Sequence, residues 1–261
     1  MTLSAEDSRP ARAVKQIIQH AVQSAGYHVG QYPPVDSLAY HVKTVLDALA
    51  IDLVLDVGAH EGESASLLRG LGYSGDIISF EPVGASFATL TKSRRRDARW
   101  RGYQIALGSQ SGTLDLNIYE GSVFNSFLGP DGASRFAKQR VVGTEKVAVR
   151  RLDSLLDEIL ADRPSARIFL KMDTQGYDLP ILRCAGRWLT ALRGIQTELA
   201  ARRTYAGTPP LHDALRELDR LGFELTGIFP VARDVDRLRI IELDCVMCRR
   251  ADELVSGLAP S

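Results

Sequence analysis

Four acidic residues, Asp56, Glu81, Asp173 and Glu198, each close a short apolar run: Leu53-Val54-Leu55-Asp56, Ile77-Ile78-Ser79-Phe80-Glu81, Ile168-Phe169-Leu170-Lys171-Met172-Asp173 and Ile195-Gln196-Thr197-Glu198. Runs of this length and character read as buried strands. Open α/β sheets bind ligands at the carboxyl ends of their strands, so acids at four such ends are expected to share one rim. Carboxylates placed there accept hydrogen bonds from hydroxyls, attract cations and take up protons. Lys171 precedes Asp173 by two residues, which puts both side chains on one side of a strand, and Asp178 follows near a helix start.

After Asp56 the chain continues Val57-Gly58-Ala59-His60-Glu61-Gly62, an Asp-x-Gly-x-x-x-Gly turn that opens a helix. The dinucleotide fingerprint Gly-x-Gly-x-x-Gly needs its second glycine so that backbone can press against a pyrophosphate. His60 stands at that position, so the expected ligand carries no pyrophosphate. S-adenosylmethionine is such a ligand, and its sulfonium and amino group suit a nearby carboxylate such as Asp56. Glu81 falls 19 residues after Gly62, where a nucleotide fold sets a carboxylate against ribose hydroxyls. Gly58, Ala59, His60, Glu61, Gly62 and Glu81 are therefore expected to contact the cofactor, with Ala106 and Leu107 packing on the adenine.

The elements that must position these residues alternate. Apolar spacing predicts a helix over 11–25 and a second over 38–49, capped by Asp36 or Ser37, which either cover the sheet or act as a lid. Helices are expected near 62–70 and 84–93, and a third strand at 103–108. Residues 113–119 alternate with period two as a half-exposed strand. Residues 120–145, rich in glycine, read as a long loop that folds over the substrate. Asp153 is expected to cap a helix running through Leu160, and a helix over 211–221 precedes two antiparallel closing strands, 223–229 and 238–249. The domains are then a helical extension (1–49), an α/β domain (50–250) and a tail (251–261).

Composition narrows the partners. The 261 residues carry 32 Lys and Arg against 32 Asp and Glu, so no global field attracts nucleic acid or an anionic membrane. Three cysteines, no basic-apolar leader and no apolar stretch near the ~20 residues of a membrane span predict a soluble, cytoplasmic protein. Cys245 and Cys248 form Cys-x-x-Cys, but on a strand they face opposite ways and no second pair completes a zinc site. Tyr177, Trp188 and Tyr205 are read as packing residues before sugar-stacking ones. His212, at a helix start, is read as a surface residue rather than a base, and His60 as part of the turn's wall.

The run Leu170-Lys171-Met172-Asp173-Thr174-Gln175-Gly176-Tyr177-Asp178 resembles the Lys-x-Asp-x-Gln/Glu-Gly-x-Glu/Asp signature of the FkbM family of methyltransferases. Arg151-Leu152-Asp153-Ser154-Leu155-Leu156 is similar to that family's Leu-Asp helix start, and the turn at 57–62, Phe80-Glu81-Pro82 and Glu198 have counterparts as well. The resemblance covers about residues 50–249; Asp178 is one methylene shorter than the frequent Glu. It implies a Rossmann-like class I methyltransferase: a mostly parallel seven-stranded sheet with an antiparallel closing strand. It also implies O-methylation of hydroxyls on sugars, glycolipids or polyketide-like natural products. An alcohol is a weak nucleophile, so a base or a metal should assist. Asp173 and Glu198, with Lys171 beside them, are expected to flank the acceptor hydroxyl. Asp173, Asp178 and Glu198 are alternatively ligands for Mg²⁺. Competing readings are a nicotinamide-dependent oxidoreductase, disfavoured by His60, and a non-catalytic S-adenosylmethionine-binding module, disfavoured by Asp173 and Glu198. An RNA methyltransferase is disfavoured by the neutral charge. The identity of the small or glycosylated acceptor and the oligomeric state, a homodimer among the options, are not written in these motifs.

Overall fold

A computed structural model describes residue 24 and residues 33–132 and 140–250. The helix expected over 11–25, apart from Ser24, and most of the 26–37 loop lie outside the described residues, as does the tail. The first described helix, α1 (Leu38–Ala48), starts where Ser37 accepts the Tyr40 N–H at 3.2 Å, one of the two expected caps.

β1 (Leu53–Val57) is buried along its whole length, as a central parallel strand covered on both faces must be. It pairs in parallel with β2 (Asp76–Phe80) on one side and β7 (Ile168–Met172) on the other. The sheet runs β3-β2-β1-β7-β8-β10-β9, with β3 at Trp100–Tyr103, β8 at Leu192–Ala200, β9 at Phe223–Asp234 and β10 at Arg239–Arg249. β10 alone runs against its neighbours. This is the Rossmann-like class I methyltransferase architecture, seven strands with one reversed.

Helices cover both faces. α1 and α2 (Glu63–Gly70) bury Val42, Val45, Leu46, Ala65 and Leu68 with Val54, Ile77, Phe169 and Val246. On the other face lie α4 (Leu152–Ile159), α5 (Asp178–Leu182) and α6 (Leu211–Arg220), which pack Leu155, Leu156, Ile181 and Leu218 on Leu53, Leu55 and Leu170. α3 (Gly84–Arg94) links β2 to β3. α1 thus covers the sheet. In the row facing α1 and α2, Ser79, Asp56, Lys171 and Gln196 stand in register across β2, β1, β7 and β8, a polar line through an apolar sheet.

Four local expectations are corrected. The strand expected at 103–108 is divided: Tyr103 ends β3, whereas β4 (Ala106–Leu107) leaves the main sheet and pairs with Val149 and Arg150. There it joins β5 (Gly112–Tyr119) and β6 (Val141–Arg150) in a second sheet of order β4-β6-β5, so β6 begins within the stretch expected to be loop as far as 145, and a 3₁₀ turn occupies Ser122–Phe124. Asp153 is not the helix cap. Arg151 holds that position, and Asp153 sits in the first turn, 2.6 Å from the Arg151 guanidinium, where a negative charge meets the positive end of the helix. β8 continues to Ala200, which leaves Glu198 inside the strand. Among the described residues no helix is long and apolar enough to cross a membrane.

Candidate functional site

The turn after β1 is built by neighbouring strands. The Gly58 and Ala59 N–H groups donate to the Phe80 carbonyl at 3.0 and 3.1 Å, and the Asp173 N–H donates to the Val57 carbonyl at 3.0 Å. Gly58 has φ +73°, and a Cβ there would lie 2.0 Å from the Asp173 carbonyl oxygen, so only glycine lets these strand ends meet. His60 carries φ +46°, a left-handed conformation uncommon outside glycine. Three bonds hold it. Its N–H donates to Glu81 Oε2 at 2.9 Å, and its ring nitrogens lie 2.9 Å from Glu63 Oε1 and 2.9 Å from Ser122 Oγ. His60 is therefore a wall of the turn.

Above the turn opens a cleft of about 290 Å³. Gly58, Ala59, His60, Glu81, Ala106, Lys171 and Asp173 line it; Asp56, Glu61 and Gly62 do not. Gly62 instead packs on Leu90, to which a Cβ would come within 2.7 Å. Glu81 is 6% exposed, and its Oε1 accepts the Val83 N–H at 2.9 Å while Oε2 holds His60. Each oxygen retains a lone pair for a hydroxyl. Burial raises the Glu81 pKa, opposed by those two backbone donors. Phe80, Val83, Ala106, Leu107, Leu116 and Phe127 form an apolar slot beside it.

The floor is a charge chain. Lys171 Nζ lies 3.2 Å from Asp56 Oδ1 and 3.6 Å from Asp173 Oδ2, and donates to the Gly58 carbonyl at 3.3 Å. Ser79 donates to Asp56 Oδ2 at 3.3 Å and itself accepts from Trp100 Nε1 at 3.0 Å. Burial pulls the Lys171 pKa down, but Asp56 and Asp173 outweigh it and hold the ammonium above the usual lysine value. Lys171 is thus a fixed cation and no base. Asp56, fully buried, faces the cleft only through it.

Asp173 is the accessible acid of the floor, its side chain 42% exposed. Gln175 Nε2 donates to its Oδ1 at 2.9 Å. Gln175 has φ +53° and is held in turn by the Tyr205 hydroxyl, 2.9 Å from Oε1, and by Ser126, which donates to its carbonyl at 2.9 Å.

Asp178 and Glu198 lie elsewhere. Asp178 is buried and accepts from the Thr174 N–H at 3.0 Å, the Thr174 hydroxyl, the Thr197 hydroxyl at 2.7 Å and the Glu198 N–H at 3.2 Å. Four donors use up its oxygens, and burial raises its pKa. Glu198 faces a separate cavity of about 30 Å³ that Glu242 also lines. Burial, with the charges of Asp173, Glu242, Asp244 and Asp178, pushes its pKa up to about 9, so it is protonated at neutral pH. The expected Mg²⁺ trio of Asp173, Asp178 and Glu198 does not assemble. Among the described residues no group of three His, Cys, Asp or Glu side chains is arranged to hold a metal ion.

Tyr177 lines the cleft edge-on to Phe127, with ring centroids 5.3 Å apart. Trp188 donates to Asp157, and Tyr205 is buried; both are packing residues. His212 is exposed beside Asp213 and does not line the cleft. Ser122, Val123, Asn125, Ser126 and Phe127, all within the glycine-rich stretch after Tyr119 expected to lie over the substrate, line the cleft; no individual residue among them is assigned a role by the sequence.

A family model described as the methyltransferase FkbM domain matches residues 56–225, more than half of the chain. No curated protein matches. Among solved structures, an rRNA methylase from Streptococcus thermophilus superposes with a TM-score of 0.45 at 10% identity, covering 83% of this chain and 98% of that one. A precorrin-6y C5,15-methyltransferase from Geobacter metallireducens gives 0.42 at 11% identity, over 85% and 94%. A TehB-like SAM-dependent methyltransferase from Corynebacterium glutamicum gives 0.38 at 13% identity, over 93% and 100%.

Proposed function

The chain belongs to the methyltransferase FkbM domain family, and on that premise we propose that it methylates a hydroxyl of a small or glycosylated acceptor, with Asp173 as the base. S-adenosylmethionine fits the cleft: the apolar slot suits adenine, Glu81 suits the ribose hydroxyls, and the turn at Gly58, Ala59 and His60 lines the part left for the ligand's methionine end. When bound, this cofactor supplies an electrophilic methyl group for in-line displacement. The chain's own part is positioning and proton transfer.

The observation that carries the reading is the setting of Asp173. It is the exposed carboxylate of the floor, fixed through Oδ1 by Gln175 and through Oδ2 by Lys171, on the strand end that meets the cofactor turn. From there it accepts the proton of the acceptor hydroxyl. Lys171 keeps the carboxylate turned toward the cleft, and Asp56 keeps Lys171 in place. Glu198, protonated and facing the smaller cavity, is assigned no proton-accepting role. The balance of 32 basic and 32 acidic residues favours a small or glycosylated acceptor over RNA.

Calorimetric titration with S-adenosylhomocysteine and, in parallel, NAD tests the cofactor. Binding of the first alone supports the reading; binding of NAD, or of neither, overturns it. Asp173→Asn, assayed with labelled S-adenosylmethionine on sugar and glycolipid acceptors, should keep S-adenosylhomocysteine affinity while transfer falls by about 10²–10⁴-fold. Full transfer by this variant removes Asp173 as the base.

A further inference from the structure

β9 and β10 outrun the sheet they close. Ala200, the last residue of β8, faces Glu242, whereas β9 and β10 stay paired as far as Asp234 and Arg239. Three further residues of strand lift the turn at 235–238 about 10 Å beyond the end of β8. β8 is parallel to β7 and β7 to β1, so the hairpin stands on the rim where the cleft opens.

Its tip is apolar and unburied. Val235, Leu238 and Ile240 are 75%, 93% and 38% exposed. Leu238 also adopts φ +52°, a conformation that favours glycine or asparagine, and at 93% exposure it buries almost nothing against the described residues that would offset the cost. Arginines surround it: Arg233, Arg237 and Arg239 on the hairpin are exposed, as are Arg202 and Arg203. The latter pair sits at the hairpin's base, where the Ala201 and Arg202 N–H groups donate to the Ile241 carbonyl at 2.8 and 3.1 Å. Against these five arginines stand Asp234, which pairs with Arg237, Asp236 and, at the base, Glu242, a local excess of two positive charges (5 − 3) in a chain whose total is zero.

We propose that this hairpin docks the protein peripherally on an anionic lipid bilayer. The apolar tip enters the boundary between headgroups and acyl chains, and the arginines meet the lipid phosphates. A second copy of the chain fits less well, because a symmetric contact would set one positive excess against another. Single-stranded RNA fits less well, because residues 231–240 hold no aromatic side chain on which a base could stack. With the hairpin on a bilayer, the cleft's rim faces the lipid surface. Lipid binding at the hairpin needs neither cofactor nor acceptor, so it stands or fails separately from methyl transfer.

The test is co-sedimentation of the full-length protein with phosphatidylcholine vesicles, with and without phosphatidylserine. Binding should require phosphatidylserine and weaken with salt. Arg233→Glu with Arg239→Glu should lower affinity by at least about fivefold per arginine. Val235→Ser with Leu238→Ser should lower it at unchanged charge, and unchanged circular dichroism and melting temperature verify that these variants fold. Equal sedimentation with neutral vesicles, or binding indifferent to both variants, overturns the proposal. So does either of two alternative findings: self-association or RNA binding that the same substitutions abolish while vesicle binding persists.

Discussion

Gly58 and the carbonyl of Asp173 are in direct backbone contact, with room for a hydrogen but none for a methyl group: a Cβ at 58 would fall 2.0 Å from that oxygen. The turn proposed to receive the cofactor and the strand end that carries the proposed base are therefore packed backbone to backbone, and a shift of one presses on the other.

Gly58→Ala follows directly. The positive φ alone costs about 1–2 kcal/mol for a residue with a Cβ, and the contact forces the Asp173 carbonyl to move. The variant should unfold at lower urea concentration and lose detectable S-adenosylhomocysteine binding by calorimetry. Wild-type affinity in a folded Gly58→Ala protein would show that the ligand does not sit on this turn.

Glu81 offers a finer probe. Glu81→Gln preserves shape but replaces a charged acceptor, and hydrogen bonds to charged groups contribute about 1.5–3 kcal/mol. S-adenosylhomocysteine should bind about 10–100-fold more weakly. An unchanged dissociation constant would take Glu81 off the ribose and leave it as a brace for the His60 and Val83 N–H groups.

The buried pair of Lys171 and Asp56 makes an asymmetric prediction. Lys171→Met strands a carboxylate that is wholly buried, and breaking such a pair typically costs about 3–5 kcal/mol. Adding Asp56→Asn removes the stranded charge and should recover part of the loss. Urea unfolding of the two single variants and the double variant reads the coupling. Additive losses would mean that the two charges do not stabilise each other.

Glu198 sets a pH dependence. Its pKa rises from the ordinary glutamate range when unfolded to about 9 when folded. Between those values the folded state binds the extra proton. Its contribution is therefore fully present at acid pH and is lost as pH climbs through about 9. Wild-type melting temperature should fall more than that of Glu198→Gln between pH 5 and pH 9. Parallel pH profiles for the two proteins would contradict the burial of this acid.

What could be read from the chain was what lies close together in it. The strand, turn and helix at 53–70 and the acid after β2 are contiguous patterns, and the structure reproduces them nearly residue for residue. The second sheet was hidden. β4 pairs with residues 43 positions downstream (149 − 106) and β5 with residues 22 to 37 positions downstream (141 − 119 and 149 − 112), and β6 begins with exposed residues from Val141 that show no alternation. Glu198 was misplaced by two residues because the end of a strand is set by its partner: β10 continues the ladder to Ala200. The distinction between Asp173 and Asp178, one open and one saturated by four donors, depends on threonine hydroxyls that no spacing reveals.

The cleft draws its lining from residues 57–64, 80–83, 105–107, 116–127 and 171–177, stretches that meet only across the completed sheet. No one of these stretches holds the whole of it, so the complete cleft forms only when the long-range strand pairing is finished. Cofactor then binds the native state alone, and its concentration sets the protein's resistance to unfolding through mass action. In a cell, a fall in methyl-donor supply would register as a shorter lifetime of the enzyme itself.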